Sequence, residues 1–179
     1  ATPKSMNLFY KLRPRDINIE VGIGLKSGIQ KFYKFNEPAL NTFCEEEAQI
    51  KNQYPYQLID TLKINVERLE NVLESNLKHN QKIDFMNIDV EGHELEVLDG
   101  ARELFSGGRV RDCIFEEHNE YPTPVTDFFE NHGYTVMRLH RSILGPMLLC
   151  ADSSVNRVAW HPTNFLATLD YGRVKKLVY

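Results

Sequence analysis

Long apolar runs are missing from this 179-residue sequence. The longest, residues 143–151, is interrupted by Gly145 and Pro146 and falls far short of the roughly 20 residues a membrane-crossing helix needs. No membrane partner is expected. Positive charge is not in excess either: 21 Lys and Arg stand against 25 Asp and Glu, a formal net charge of −4. Such a field would not hold a polyanion, so no nucleic-acid partner is expected. Cysteine is scarce, and Cys44, Cys113 and Cys150 are far apart with no CxxC or metal-ligand spacing. They are expected to be reduced thiols of a cytoplasmic protein. A charged n-region with an apolar h-region is also absent from the start, which is Ala1 rather than Met, and leads to the expectation of a part of a longer chain. Repeats, low-complexity tracts and a Gly/Ser/Pro linker are absent as well, which leaves one domain over residues 1–179.

What is present suits a packed α/β core: 42% hydrophobic and 26% charged side chains. Thr2-Pro3 is a cap and first-turn pair for a short helix that Pro14 stops. Residues 17–23 alternate apolar and polar, and residues 28–35 are rich in β-branched and aromatic types. With Lys26-Ser27-Gly28 between them, these two segments are predicted to form a hairpin. Residues 57–64 have strand character, and Asn65 is placed to cap a helix whose Val66, Leu69, Val72, Leu73 and Leu77 form one stripe. Residues 83–90 are mostly apolar, the pattern of a central strand covered on both faces. A helix with Leu95, Leu98 and Phe105 follows, closed by Gly107-Gly108, then a buried strand at 110–116. Thr123 to His132 reads as a helix ended by Gly133, residues 134–139 as a strand, and the tail as closing strands. The βαβαβ succession implies parallel strands with ligand chemistry at their carboxyl ends.

Two acidic clusters stand where such a fold puts its site. Asp89-Val90-Glu91-Gly92-His93-Glu94 closes one strand and opens the next helix, and Glu116-Glu117-His118-Asn119-Glu120 ends the following strand. If the strands are parallel neighbours, both clusters share one edge. Plainer roles exist for each residue. Carboxylates at a helix start are favoured by the macrodipole and by capping. Gly92 suits close helix packing, and His93 and His118 suit a solvated surface. Glu116 and Glu117 cannot share a face while the strand persists. Glu45-Glu46-Glu47 reads as a solvated helix face.

The segment from 83 to 101, with Asp89, Glu91, Gly92, Glu94, Leu95, Leu98, Gly100 and Ala101, resembles the hallmark of the FkbM family of S-adenosylmethionine-dependent methyltransferases. Supporting likeness lies in Arg13-Pro14-Arg15-Asp16, in residues 18–23, 28–35 and 39–43, and in Gly133-Tyr134. The resemblance implies a Rossmann-like methyltransferase sandwich with a mostly parallel sheet and an added β-hairpin, N-terminally incomplete. It is incomplete because the strand and glycine-rich turn that receive the cofactor's methionine part have no counterpart, and Val21-Gly22-Ile23-Gly24 leads into the predicted hairpin instead. Glycine is needed in such a turn because only a bare backbone lets the chain approach the ligand closely.

The implied reaction is O-methylation of a sugar or another small hydroxylated acceptor, with S-adenosyl-L-methionine as cofactor. Methyl transfer from a sulfonium is an in-line displacement, so alignment and removal of the acceptor's proton are the protein's tasks. On this reading Asp89 lies near the sulfonium or amino group, Glu91 and His93 face the acceptor, and Glu117 and His118 are their partners across the crevice. Gly22 and Ile23 would border the adenine, and Asn41 and Thr42 the acceptor side. No metal is assigned, although Asp89, Glu91, Glu117 and His118 are ligand types that Mg²⁺ or Zn²⁺ accept. The competing readings are a noncatalytic binding module derived from such an enzyme and a metal-dependent hydrolase. Acceptor identity and oligomeric state are not readable from the sequence.

Overall fold

Side-chain alternation and turn chemistry give the following elements in the computed structural model, which describes residues 10–90, 92–142, 145–154 and 162–178. In chain order they are β1 (Gly22–Ile23), β2 (Gly28–Phe35), a 3-10 turn (Pro38–Leu40), α1 (Glu45–Lys51), β3 (Leu58–Glu67), α2 (Leu69–Asn76) and β4 (Ile83–Ile88). There follow α3 (Glu94–Asp99), α4 (Arg102–Ser106), β5 (Val110–Glu117), α5 (Pro124–Asn131), β6 (Thr135–Ser142), β7 (Gly145–Cys150), β8 (Thr163–Thr168) and α6 (Tyr171–Val178). Most of the short helix expected to begin at Thr2-Pro3 lies outside the described residues.

The strands form two mixed sheets, ordered β1-β3-β2 and β4-β5-β8-β6-β7. This corrects the expectation of a mostly parallel Rossmann-like sheet: only β1 with β3 and β4 with β5 run parallel. The reason lies in β8. Its Phe165, Leu166, Ala167 and Thr168 are buried, and it slots antiparallel between β5 and β6, with Phe165 opposite both Phe115 and Arg138. A strand covered on both faces gains most by taking an interior position.

The expected hairpin is also corrected. β1 and β2 do not pair with each other; both pair with β3, and Val66 lies opposite Gly22 on one side and Gly28 on the other. That double pairing holds Asn65 and Val66 in strand, where helical spacing had placed a cap and the first turn. The helix therefore starts at Leu69, after an Arg68 cap position that makes no side-chain capping bond. Strand β4, expected to be central, is an edge strand whose Asp84, Phe85 and Asn87 are exposed.

The main core lies on the helix-covered face of the five-stranded sheet. Phe115 stacks between Phe129 (4.8 Å) and Phe165 (5.6 Å), and Phe105 meets Phe129 edge-on at 5.4 Å. Burying aromatic side chains of this size is the largest favourable contribution available to a small domain. The expected helix over residues 95–105 is broken in two because Gly100 backs onto the small sheet: a Cβ there would lie 2.5 Å from the Gly24 carbonyl oxygen. Helix α5 begins in a capping box, with Thr123 Oγ1 accepting from the Thr126 amide (3.2 Å) and Thr126 Oγ1 accepting from the Thr123 amide (2.8 Å).

Candidate functional site

Because β4 and β5 are parallel and in register from Ile83 opposite Val110 to Ile88 opposite Phe115, their carboxyl ends leave the sheet at one rim. The segments that carry the two acidic clusters thus leave the sheet side by side. Glu117 keeps step with Phe115 and faces the helices, 8% exposed, while Glu116 points to the other face, where Asn164 Nδ2 donates to it at 3.4 Å. Glu117 Oε1 accepts from the Asn119 amide at 3.0 Å and from Asn119 Nδ2 at 3.3 Å, which folds the chain around His118. His118 itself is exposed. Asp89 is exposed as well, and its carboxylate makes no hydrogen bond or ion pair among the described residues. It is free to receive a ligand's positive charge or proton.

The loop after β4 is organised by a residue whose role the sequence reading left generic. Glu94, 6% exposed, turns back so that Oε1 accepts from the amides of Val90 (3.2 Å) and Gly92 (3.4 Å). Gly92 has φ +96° and nothing within 4 Å of where a Cβ would stand, so backbone conformation rather than tight packing requires glycine there. Glu91 lies outside the described residues. His93 sits at the cap position of α3 without capping it. Its Nδ1 is 4.0 Å from Glu96 Oε2, and its Nε2 is buried with no hydrogen-bond partner among the described residues. A buried donor or acceptor left unpaired is costly and marks a place where a ligand can satisfy it.

The imidazole meets the Phe43 ring edge-on at 5.9 Å, and Phe43 in turn packs on Phe32 at 5.1 Å. A Cβ on Gly22 would lie 3.1 Å from Phe43 Cζ, so Gly22 lets this aromatic ring approach the small sheet. Ile23 packs against the main core. Asn41 and Thr42 lie in the same neighbourhood but face inward: Asn41 Oδ1 accepts from the Phe35 amide at 2.8 Å, and Thr42 is 2% exposed. Thr42 Oγ1 donates to Glu47 Oε2 at 2.9 Å and accepts from the Cys44 amide at 3.1 Å.

Two further residues were hidden in plain patterns. Glu47 belongs to the run expected to be a solvated face; Glu45 and Glu46 are exposed, whereas Glu47 is half-buried between Thr42 and Lys51. The signal available was its i,i+4 spacing to Lys51. Arg138, read only as part of a strand, is 4% exposed, donates from Nη2 to Glu120 Oε2 at 2.9 Å and lies 5.4 Å over the Phe165 ring. It ties the segment after His118 to β6. A groove of about 380 Å³ lies apart from the rim, bounded by Tyr121, Glu130, Met137, Cys150, Asp152 and Lys175 among others.

Among the described residues, no group of three or more His, Cys, Asp or Glu side chains is arranged to hold a metal ion. No helix among them is long and apolar enough to cross a membrane. Cys44, Cys113 and Cys150 are free thiols. Compared with known proteins, residues 1–136 match the family model for the methyltransferase FkbM domain. No curated protein and no solved structure gives a match.

Proposed function

This chain belongs to the methyltransferase FkbM domain family, and from that premise we propose that it serves transfer of a methyl group from S-adenosyl-L-methionine to a hydroxyl oxygen of a small acceptor. The observation that carries this reading is the shared rim of β4 and β5: β4 leads into Asp89 and His93, whose carboxylate and Nε2 have no partner among the described residues, and β5 leads into the Glu117-His118 turn. These groups fit the donor: a free carboxylate suits a cationic ligand group, and an orphan ring nitrogen suits a hydroxyl. When bound, the donor supplies an electrophilic methyl group on a sulfonium.

The chain's own residues then have distinct tasks. Asp89, exposed at the rim, stabilises positive charge that a ligand brings there. His93 takes the acceptor hydroxyl's proton at Nε2 as the oxygen forms its new bond to carbon. Glu117 holds the turn that presents His118 across the rim. Gly22 and Ile23 border the adenine, and Asn41 with Thr42 shapes the acceptor side from within.

The test is methyl incorporation from labelled S-adenosyl-L-methionine into hydroxylated acceptors by the full-length protein. Asp89→Asn is expected to lower turnover by about a hundredfold or more. The melting temperature should stay within a degree or two, because Asp89 is exposed and unbonded. Equal turnover in the variant and the parent would overturn the assignment of Asp89.

A further inference from the structure

Helix α1 puts three acidic residues in succession, yet they do different things. Glu45 is exposed and lies 3.6 Å from Lys31 Nζ, and Glu46 is exposed and accepts from the Cys44 thiol at 3.2 Å. Glu47 alone of the three turns inward, and a single oxygen of its carboxylate, Oε2, is held by both the Thr42 hydroxyl (2.9 Å) and the Lys51 ammonium (3.0 Å). Thr42 is almost wholly buried and is followed by Phe43, whose ring carries the His93 imidazole on its edge. The carboxylate and the imidazole are therefore fixed from one two-residue step of backbone. Burial pushes the Glu47 carboxyl up, but hydrogen bonds from Lys51 and Thr42, with the charges of Lys51 and His93, prevail and hold it below the ordinary carboxylate value. It stays ionised.

We infer that Glu47 is a positioning residue for His93: by holding the Thr42 hydroxyl and the Lys51 ammonium it fixes the backbone step that sets the Phe43 ring against the imidazole, and so the orientation of that imidazole at the rim. The inference rests on the reading of His93 as the proton acceptor. No proton passes to Glu47. The acceptor O–H bond breaks and its proton ends on His93, while Glu47 stays paired with Lys51. This arrangement gives the small sheet a part in the chemistry, since α1 and Phe43 belong to the connection between β2 and β3.

The experiment measures kcat and KM for labelled methyl transfer by the full-length protein. Glu47→Gln should lower kcat tenfold or more with KM within about twofold, and Glu47→Asp should recover part of the loss. Glu46→Gln, one residue away on the exposed side, should leave both unchanged. His93→Gln should cost at least as much as Glu47→Gln, and the double variant should cost no more than His93→Gln alone, since residues acting as a unit are not additive. At one fixed pH, the His93 ring ¹⁵N shifts should move in Glu47→Gln and not in Glu46→Gln. An inactive His93→Gln beside a fully active Glu47→Gln would overturn the positioning role and leave the base assignment standing. A fully active His93→Gln would overturn the base assignment itself, and the positioning role falls with it.

Discussion

The two sheets are stabilised in different ways. Between the five-stranded sheet and α3, α4 and α5, the side chains of Leu98, Leu104, Phe105, Val110, Phe115, Phe129 and Phe165 are wholly buried. In the three-stranded sheet the buried cluster is Tyr33, Phe35 and Ala48, while Ile29, Ile59 and Leu62 face solvent. The larger sheet therefore carries the folding free energy, and the smaller one is held by its β-ladder and by a narrow seam. That seam consists of the Gly24–Gly100 approach, the Arg68 Nε bond to the Gly100 carbonyl (3.3 Å) and the Phe43–His93 contact. Strength and site lie in different places: the core sets the rim, and the seam sets what faces it. A region with few buried apolar contacts opens at lower cost than the core it leans on.

This contrast can be broken most severely from the core side. Phe129→Ala should cost about 3–5 kcal/mol in chemical denaturation, because it removes a ring packed on Phe105, Phe115, Phe128 and Tyr134. Ile29→Ser on the small sheet should change stability by no more than about 0.5 kcal/mol in the same assay. Equal losses would mean that the two sheets share one core. A smaller effect is expected at the seam: Gly100→Ala drives a Cβ into the Gly24 carbonyl and should cost about 1–3 kcal/mol. Hydrogen exchange should then show protection lost in β1 and β3 and retained in β5 and β8.

The least effect concerns Glu70 of α2, 8% exposed and 3.0 Å from Arg68 Nη2. Burial raises its carboxyl above the ordinary value, with help from the nearby Glu103 charge on α4, against the attraction of Arg68. A raised folded value means the native state holds this proton more tightly than the unfolded chain does. Its contribution is thus complete below the ordinary carboxyl value and lost as pH rises through the folded one. Glu70→Gln should flatten that decline and raise stability near neutral pH by less than about 1 kcal/mol. A steeper decline in the variant would reverse the sign of the argument.

Several of these features were legible in the sequence because they are local. The apolar runs at 83–90 and 110–116 pointed to β4 and β5, Gly133 marked the end of α5, and the acidic clusters after the two runs pointed to their carboxyl ends. What escaped depends on pairings between distant segments. Nothing near Val66 says that β1 and β2 will both claim β3, and that ladder overrides the helical spacing that begins at Asn65. Likewise the break at Gly100 is imposed by Gly24, which lies 76 residues earlier in the chain. At the candidate site, Asp89, His93, Glu117 and His118 could be named from the sequence because they follow strand ends. Glu47 and Arg138 were not, because a carboxylate turned inward looks in sequence like its solvated neighbours.

The exposed flank of β4 also has a bearing on how the molecule behaves in concentrated solution. Phe85 is 53% exposed on a strand whose outer edge pairs with no other strand among the described residues, a template for unwanted annealing. Lys82 just before the strand and Asp84 within it, the latter with its side chain 80% exposed, place opposite charges on either side of Ile83. Such sentries make stacking of like strands costly and keep the flank selective about what it accepts.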